Sequence, residues 1–120
     1  ILINLVGDKA LSIGEASNVK FKNILIKNTS TGVAVKDGSI VEIKNIEMEG
    51  ILNDAFMTYI KKPFFKGDTS LKVINSSKTV NIKGNLCTRT KNTYAEINGD
   101  ICKISNLNVK ALYQLGSVKK

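Results

Sequence analysis

The stretch VKFKNILIKN, residues 19–28, opens as a β-strand and then changes phase. Val19 and Phe21 alternate with Lys20 and Lys22, the two-residue period of a strand with one buried face. Continued alternation would turn Asn23 and Leu25 inward, yet Ile24 and Ile26 form the stronger apolar pair. The slip falls on an asparagine, which tolerates the left-handed backbone of a sharp bend. Because side chains alternate faces along a strand, an inward face survives a corner only if the period breaks there.

The same slip recurs. Residues 10–28, ALSIGEASNVKFKNILIKN, align without a gap on residues 32–50, GVAVKDGSIVEIKNIEMEG, at an offset of 22. Leu11 falls on Val33, Ile13 on Val35, Glu15 on Asp37, Val19 on Val41, Phe21 on Ile43, Asn23 on Asn45 and Ile24 on Ile46. A third copy, LKVINS, places Leu71, Val73 and Asn75 in the columns of Val19, Phe21 and Asn23. A fainter fourth, CKISNLNV, supplies Cys102, Ile104, Asn106, Leu107 and Val109. Between them TVNIKGN, residues 79–85, reads as a short strand with Val80 and Ile82 inward. Each copy holds three short apolar pieces, in the first 10–13, 19–21 and 24–26.

No unit carries a helical pattern, and a sandwich gives no reason for a gapless self-match that preserves a corner. A coil of parallel strands does. Successive turns would stack at about 4.8 Å, and equivalent apolar positions would merge into one core. Asn23, Asn45, Asn75 and Asn106 would then form a ladder of amides, each able to donate and accept.

This organisation resembles the right-handed parallel β-helix of the pectate-lyase-like superfamily. The resemblance implies an all-β solenoid of four to five rungs of roughly 22 residues, with one inserted loop, and it alone supplies the handedness. The stretches VGDKALSIGEASNVKFKNILIKN, AFMTYIKKPFFKG and NVKALYQLG are also similar to bacterial β-helix tails, such as those that follow CotH-like kinase domains. Kinase motifs are missing from the sequence, so no kinase chemistry carries over.

At 120 residues the chain is expected to be a single segment, 1–120, and its apolar start ILINLVGD suggests the C-terminal part of a longer chain, with that end covered by upstream sequence or by a partner. Residues 111–120 lose the period and are expected to form a cap and tail, with Ala111, Leu112, Tyr113 and Leu115 folding over the last rung. No stretch approaches the roughly 18 apolar residues of a membrane-spanning helix. Cys87 and Cys102 are too few for a disulfide framework. Buried free thiols are the first expectation for them and a single bridge the alternative.

The sequence contains no histidine, which removes histidine acid–base catalysis and histidine metal sites. No metal or other cofactor is expected. The net charge of +8 is unevenly placed: residues 1–60 hold 6 lysines and 7 acids, residues 61–120 hold 12 lysines plus arginine and 3 acids. Such a balance suits a polyanion, either a partner or a neighbouring part of the chain. No nucleic-acid-binding motif accompanies it, which argues against DNA or RNA.

The most individual stretch is the insertion YIKKPFFKGDTS, residues 59–70. It sets Lys61, Lys62 and Lys66 beside Tyr59, Phe64 and Phe65. Ammonium groups suit the charge of an acidic sugar, and rings suit its apolar face. The plainer reading is that the rings pin the loop while the lysines solvate it. Glu15 and Asp37 share a column, and two carboxylates one rung apart could do acid–base work, but acids in turns more often cap backbone N–H groups. The sequence thus points to a non-catalytic structural or binding module of a bacterial exported or surface protein, associated with carbohydrate. The alternative is a fragment of a polysaccharide lyase or glycoside hydrolase whose catalytic rungs lie upstream.

Overall fold

The computed structural model describes residues 1–4, 8–65 and 67–105, with the backbone alone at 77 and 78. Within them the chain is all β: β1 (Leu2–Asn4), β2 (Lys9–Ile13), β3 (Asn18–Thr29), β4 (Thr31–Lys36), β5 (Ile40–Ile51), β6 (Phe56–Tyr59), β7 (Thr69–Ile82), β8 (Cys87–Arg89), β9 (Thr93–Ile97), β10 (Asp100–Ile101) and β11 (Lys103–Ile104). They form two sheets, one ordered β1-β3-β5-β7-β9-β10 and the other β11-β8-β6-β4-β2. From β1 to β9 consecutive strands alternate between the sheets. Neighbours are parallel throughout the second sheet and through the first as far as β9, whereas β9 and β10 are antiparallel.

The phase slip is a bend inside a continuous strand, not a break between two. β3 runs straight through Asn23, and β5 through Asn45. Both asparagines are left-handed, with φ of 56° and 66°. A second slip follows five residues later, at Asn28 (φ 56°) in β3 and Gly50 (φ 72°) in β5. Inward positions in β5 therefore fall at Val41, Ile43, Ile46, Met48 and Ile51, all at most 1% exposed. β7 continues both columns, with Asn75 at φ 64° and Asn81 at φ 56°. Gly50 fits its place for a further reason: a Cβ there would lie 2.8 Å from Oδ1 of Asn28 on the neighbouring strand.

The expected right-handed parallel β-helix of equal rungs is corrected by this arrangement. The described strands make two sheets, one of them mixed, and no closed coil is found among the described residues. The spacing explains part of the difference. Strand partners are 22 residues apart only in the first two copies, as in Val19 and Val41 or Leu11 and Val33. Later partners are Val41 with Leu71, Phe56 with Cys87 and Thr88 with Lys103, so the unit length is not kept. A bulge between Glu47 and Met48, facing β7, adds to the irregularity.

The reversal at β10 has a local cause. Ile24, Ile46 and Ser76 follow the first three bend asparagines and continue the strand. Gly99 follows Asn98, and both are left-handed, at φ 52° and 89°. Asn98 and Gly99 form a two-residue hairpin turn, and Ile97 pairs with Asp100 across it. The fourth copy is accordingly misplaced in the sequence reading. Ile104 lies in β11 of the second sheet, opposite Arg89. Asn98 follows the bend column, its N–H donating to the Val73 carbonyl at 2.9 Å. Asn106 and the expected cap at 111–120 lie outside the described residues. Residues 79–82 belong to β7, where Val80 is exposed while Thr79 and Ile82 are half-buried.

Apolar side chains from both sheets meet in one core, with Ile24, Ile26, Val41, Ile43, Ile46, Met48, Leu71 and Val73 from the first and Ile13, Val33, Val35 and Phe56 from the second. Burying each large aliphatic or aromatic side chain contributes about 1.5–3 kcal/mol. Cys87 and Cys102 are joined by a disulfide, so the first expectation of free thiols is corrected in favour of the bridge. The bridge closes a 15-residue separation around β8, β9 and β10.

Two measurements test this account. Asn45→Ala should cost roughly 2–3 kcal/mol in urea unfolding, from left-handed strain plus two lost side-chain hydrogen bonds. Asn45→Gly should cost about half as much, because glycine keeps the backbone freedom. Reducing the disulfide, or replacing both cysteines with alanine, should remove about 3 kcal/mol, the value expected for a loop of this length.

Candidate functional site

The connection between β6 and β7, residues 60–68, is docked at both ends on the turn that follows β4. Asp37 in that turn is left-handed (φ 56°) and fully buried. Its Oδ1 accepts hydrogen bonds from the backbone N–H groups of Lys61 and Lys62, each at 2.7 Å. At the far end of the connection, the Gly38 N–H donates to Oγ1 of Thr69 at 2.8 Å. The preceding turn stacks against this one: the Ala16 N–H donates to the Asp37 carbonyl at 2.9 Å, and Glu15 reaches across it to Lys62.

These anchors gather positive charge. Lys9 begins β2, Lys36 ends β4, and Lys61 and Lys62 are carried in on the docked connection. Together with Asp8 and Ser12 they line one cavity of about 350 Å³. Lys9 keeps only 3% of its side chain exposed and sits 3.4 Å from Oδ2 of Asp8. Lys62 Nζ donates to Oε1 of Glu15 at 2.7 Å at the rim, where both side chains remain partly exposed. The hydrogen bond from Lys62, and then its charge, hold the Glu15 carboxyl below its ordinary 4.5. The pair is therefore intact at neutral pH and weakens only as pH falls through that lowered value. Four lysines against Asp8 in the lining and Glu15 at the rim leave the cavity with a net positive balance, which suits an anion.

The residues expected to bind divide among several positions. Lys61 and Lys62 line the cavity. Tyr59 is fully buried in β6 and so is a packing residue, which corrects its place in a binding surface. Phe64 is 71% exposed, and its ring centroid lies 4.8 Å from that of half-buried Phe65, with the planes tilted by 36°. The two rings follow Lys62 in the same tight turn, where the Phe65 N–H donates to the Lys62 carbonyl at 3.2 Å. Lys66 lies outside the described residues.

The sequence reading missed Lys9 and Lys36. Both come from the half of the chain whose net charge is near neutral, so charge balance along the sequence hid them. Ser12 and Lys36 lie on the outer side of the inward Ile13 and Val35, and that alternation is the signal that could have placed Lys36.

Asn23, Asn45 and Asn75 do meet. The Asn45 side-chain amide donates to Oδ1 of Asn23 at 3.1 Å, and that of Asn75 donates to Oδ1 of Asn45 at 2.7 Å. Asn98 sits beyond them but spends its side chain differently, accepting from the Ser76 N–H at 2.7 Å and donating to the Ser76 carbonyl at 2.9 Å. The asparagines are structural, since their amides are engaged with one another and with backbone.

Glu15, Asp37 and Asp54 each have a carboxylate oxygen committed, although Oδ2 of Asp37 is buried without a hydrogen bond. Glu15 and Asp37 are neighbours in the stacked turns, but one holds a lysine and the other two backbone amides. Asp54 accepts from the Asn85 N–H at 2.7 Å and from the Thr88 hydroxyl at 2.8 Å. Among the described residues no three histidine, cysteine, aspartate or glutamate side chains gather in a way that could hold a metal ion.

Comparison with protein-family models, with curated proteins and with solved structures finds no match to this chain. The likeness to pectate-lyase-like proteins and β-helix tails therefore rests on the quoted sequence stretches alone. Among the described residues no helix is long and apolar enough to cross a membrane.

The anchoring role of Asp37 is open to a direct check. Asp37→Ala should destabilise the protein by about 2–4 kcal/mol, because it leaves two amides without their charged acceptor. Amide exchange at Lys61 and Lys62 should quicken ahead of exchange in the strands. Asp37→Asn keeps an acceptor oxygen and tolerates the left-handed backbone, so its effect on both readouts should be smaller.

Proposed function

We propose that this chain is a non-catalytic binding module whose ligand is an acidic polysaccharide, held in the cavity lined by Lys9, Lys36, Lys61 and Lys62. The observation that carries this reading is the convergence of four lysines from three separate segments on one anchored, concave site. A lysine ammonium is a compact, strongly hydrated point charge, suited to carboxylate or sulfate groups spaced along a flexible chain. Exposed Phe64, close by in sequence, offers a ring on which an apolar sugar face can rest.

A place outside the cell, in an exported or surface-associated protein, accords with the Cys87–Cys102 bridge, because disulfides persist mainly in oxidising compartments. The lyase or hydrolase reading draws no support from the described acids. Asp37 and Asp54 are spent on backbone and side-chain hydrogen bonds, and Glu15 on Lys62.

Titration calorimetry with alginate, dextran sulfate and uncharged dextran tests the proposal. The two charged polymers should bind and uncharged dextran should not. Affinity should fall steeply as salt is raised from roughly 0.05 to 0.5 M, since screening shortens the reach of exposed charges. Combined alanine replacement of Lys36 and Lys61 should weaken binding by about tenfold or more, the loss expected for two charge-assisted contacts. Equal binding of uncharged dextran, or binding indifferent to the lysine replacements, would overturn the reading.

A further inference from the structure

Lys62 is held at both its backbone and its side chain. Its backbone N–H, like that of Lys61, donates to buried Asp37, which ties this part of the chain to the site. Its ammonium, by contrast, is held by Glu15, a carboxylate on a different turn that is 58% exposed. Glu15 itself is left-handed (φ 59°), as is the next residue, Ala16 (φ 58°), and the stacked turn fixes the backbone that carries it. The chain thus brings one of its own carboxylates, on a short tether, to the rim of a cavity that collects ammonium groups. That carboxylate has the same chemistry as the acidic group of the ligand class proposed above.

Resting on that reading, we infer that Glu15 is a built-in competitor: it occupies the Lys62 ammonium in the free protein and is displaced when an anionic sugar binds. The exchange makes and breaks no covalent bond. One carboxylate leaves the ammonium, an incoming carboxylate or sulfate takes its place, and Glu15 returns to water. An exposed ion pair is worth little, which is what lets the exchange run under mild conditions. The cost of releasing Glu15 lowers the affinity of every anion that needs Lys62, so weak single charges are rejected while a chain that engages several lysines at once still binds.

The test compares the wild type with Glu15→Gln, Lys62→Ala and the double variant, using a short alginate oligomer as the probe. Glutamine keeps the size of the side chain and removes its charge. Glu15→Gln should bind the oligomer about three- to fivefold more tightly, with an unchanged melting temperature, as expected for loss of a surface pair. Adding oligomer to the wild type should shift the NMR signals of the Lys62 ammonium and the Glu15 carboxyl together.

In the Lys62→Ala background the gain from Glu15→Gln should shrink to the small part due to Lys36, whose charge also acts on Glu15. A gain of undiminished size there would be a general charge effect and would overturn the inference. So would wild-type binding that Glu15→Gln leaves unchanged or weakens, and in that case the binding reading itself would stand. If the wild type binds neither alginate nor dextran sulfate, both the reading and the inference fall.

Discussion

Left-handed residues inside the strands are the constraint on which this molecule depends. Asn23, Asn28, Asn45, Gly50, Asn75 and Asn81 sit at positive φ within β3, β5 and β7. Each would be a defect in a flat sheet. Here each shifts the alternation by one residue, so that the same face of a long strand stays inward as the strand bends. Asparagine bears this conformation more readily than most side chains, and its amide can bond to the next strand while doing so. Six bends in three neighbouring strands, matched in register, turn a local strain into a shared shape with one core.

That shape positions the site. The matched strands bring the turns after β2 and β4 one above the other, which is why Ala16, Glu15 and Asp37 are neighbours. The Asp37 turn then serves as the dock for residues 60–68. Two lysines arrive with that connection, and two more stand at the ends of β2 and β4. None of the four needs a special local motif. Their convergence follows from strand register and from one buried carboxylate.

Much of this was legible in the sequence, and the limits are instructive. The inward face, the offset between the first two copies, the bend asparagines and the insertion could all be read, because they depend on local pattern. The phase break at Asn23 recurs at Asn45, and the strands there pair as the alignment implies. The overall architecture was not read correctly. Unit length drifts beyond residue 51, and the bend column ends at Asn98–Gly99 in a hairpin, which the column of asparagines conceals. The second bend was overlooked because its column mixes asparagine with glycine. At the site, Lys61 and Lys62 stood out by composition, whereas Lys9 and Lys36 are brought in only by pairing between distant strands. Tyr59 looked like a surface ring because it adjoins a charged loop, yet it is the last residue of a buried strand.

The stacked side-chain amides also give the molecule a direction. From Asn75 through Asn45 to Asn23 every amide donates the same way, and Asn28 donates to Asn4 in the same sense. Aligned amide dipoles reinforce one another, so the row has a distinct head and tail. Its head opens toward β1, while at the other extremity Asn98 turns its amide onto the Ser76 backbone and stops the series. The two extremities of the stack are therefore not interchangeable.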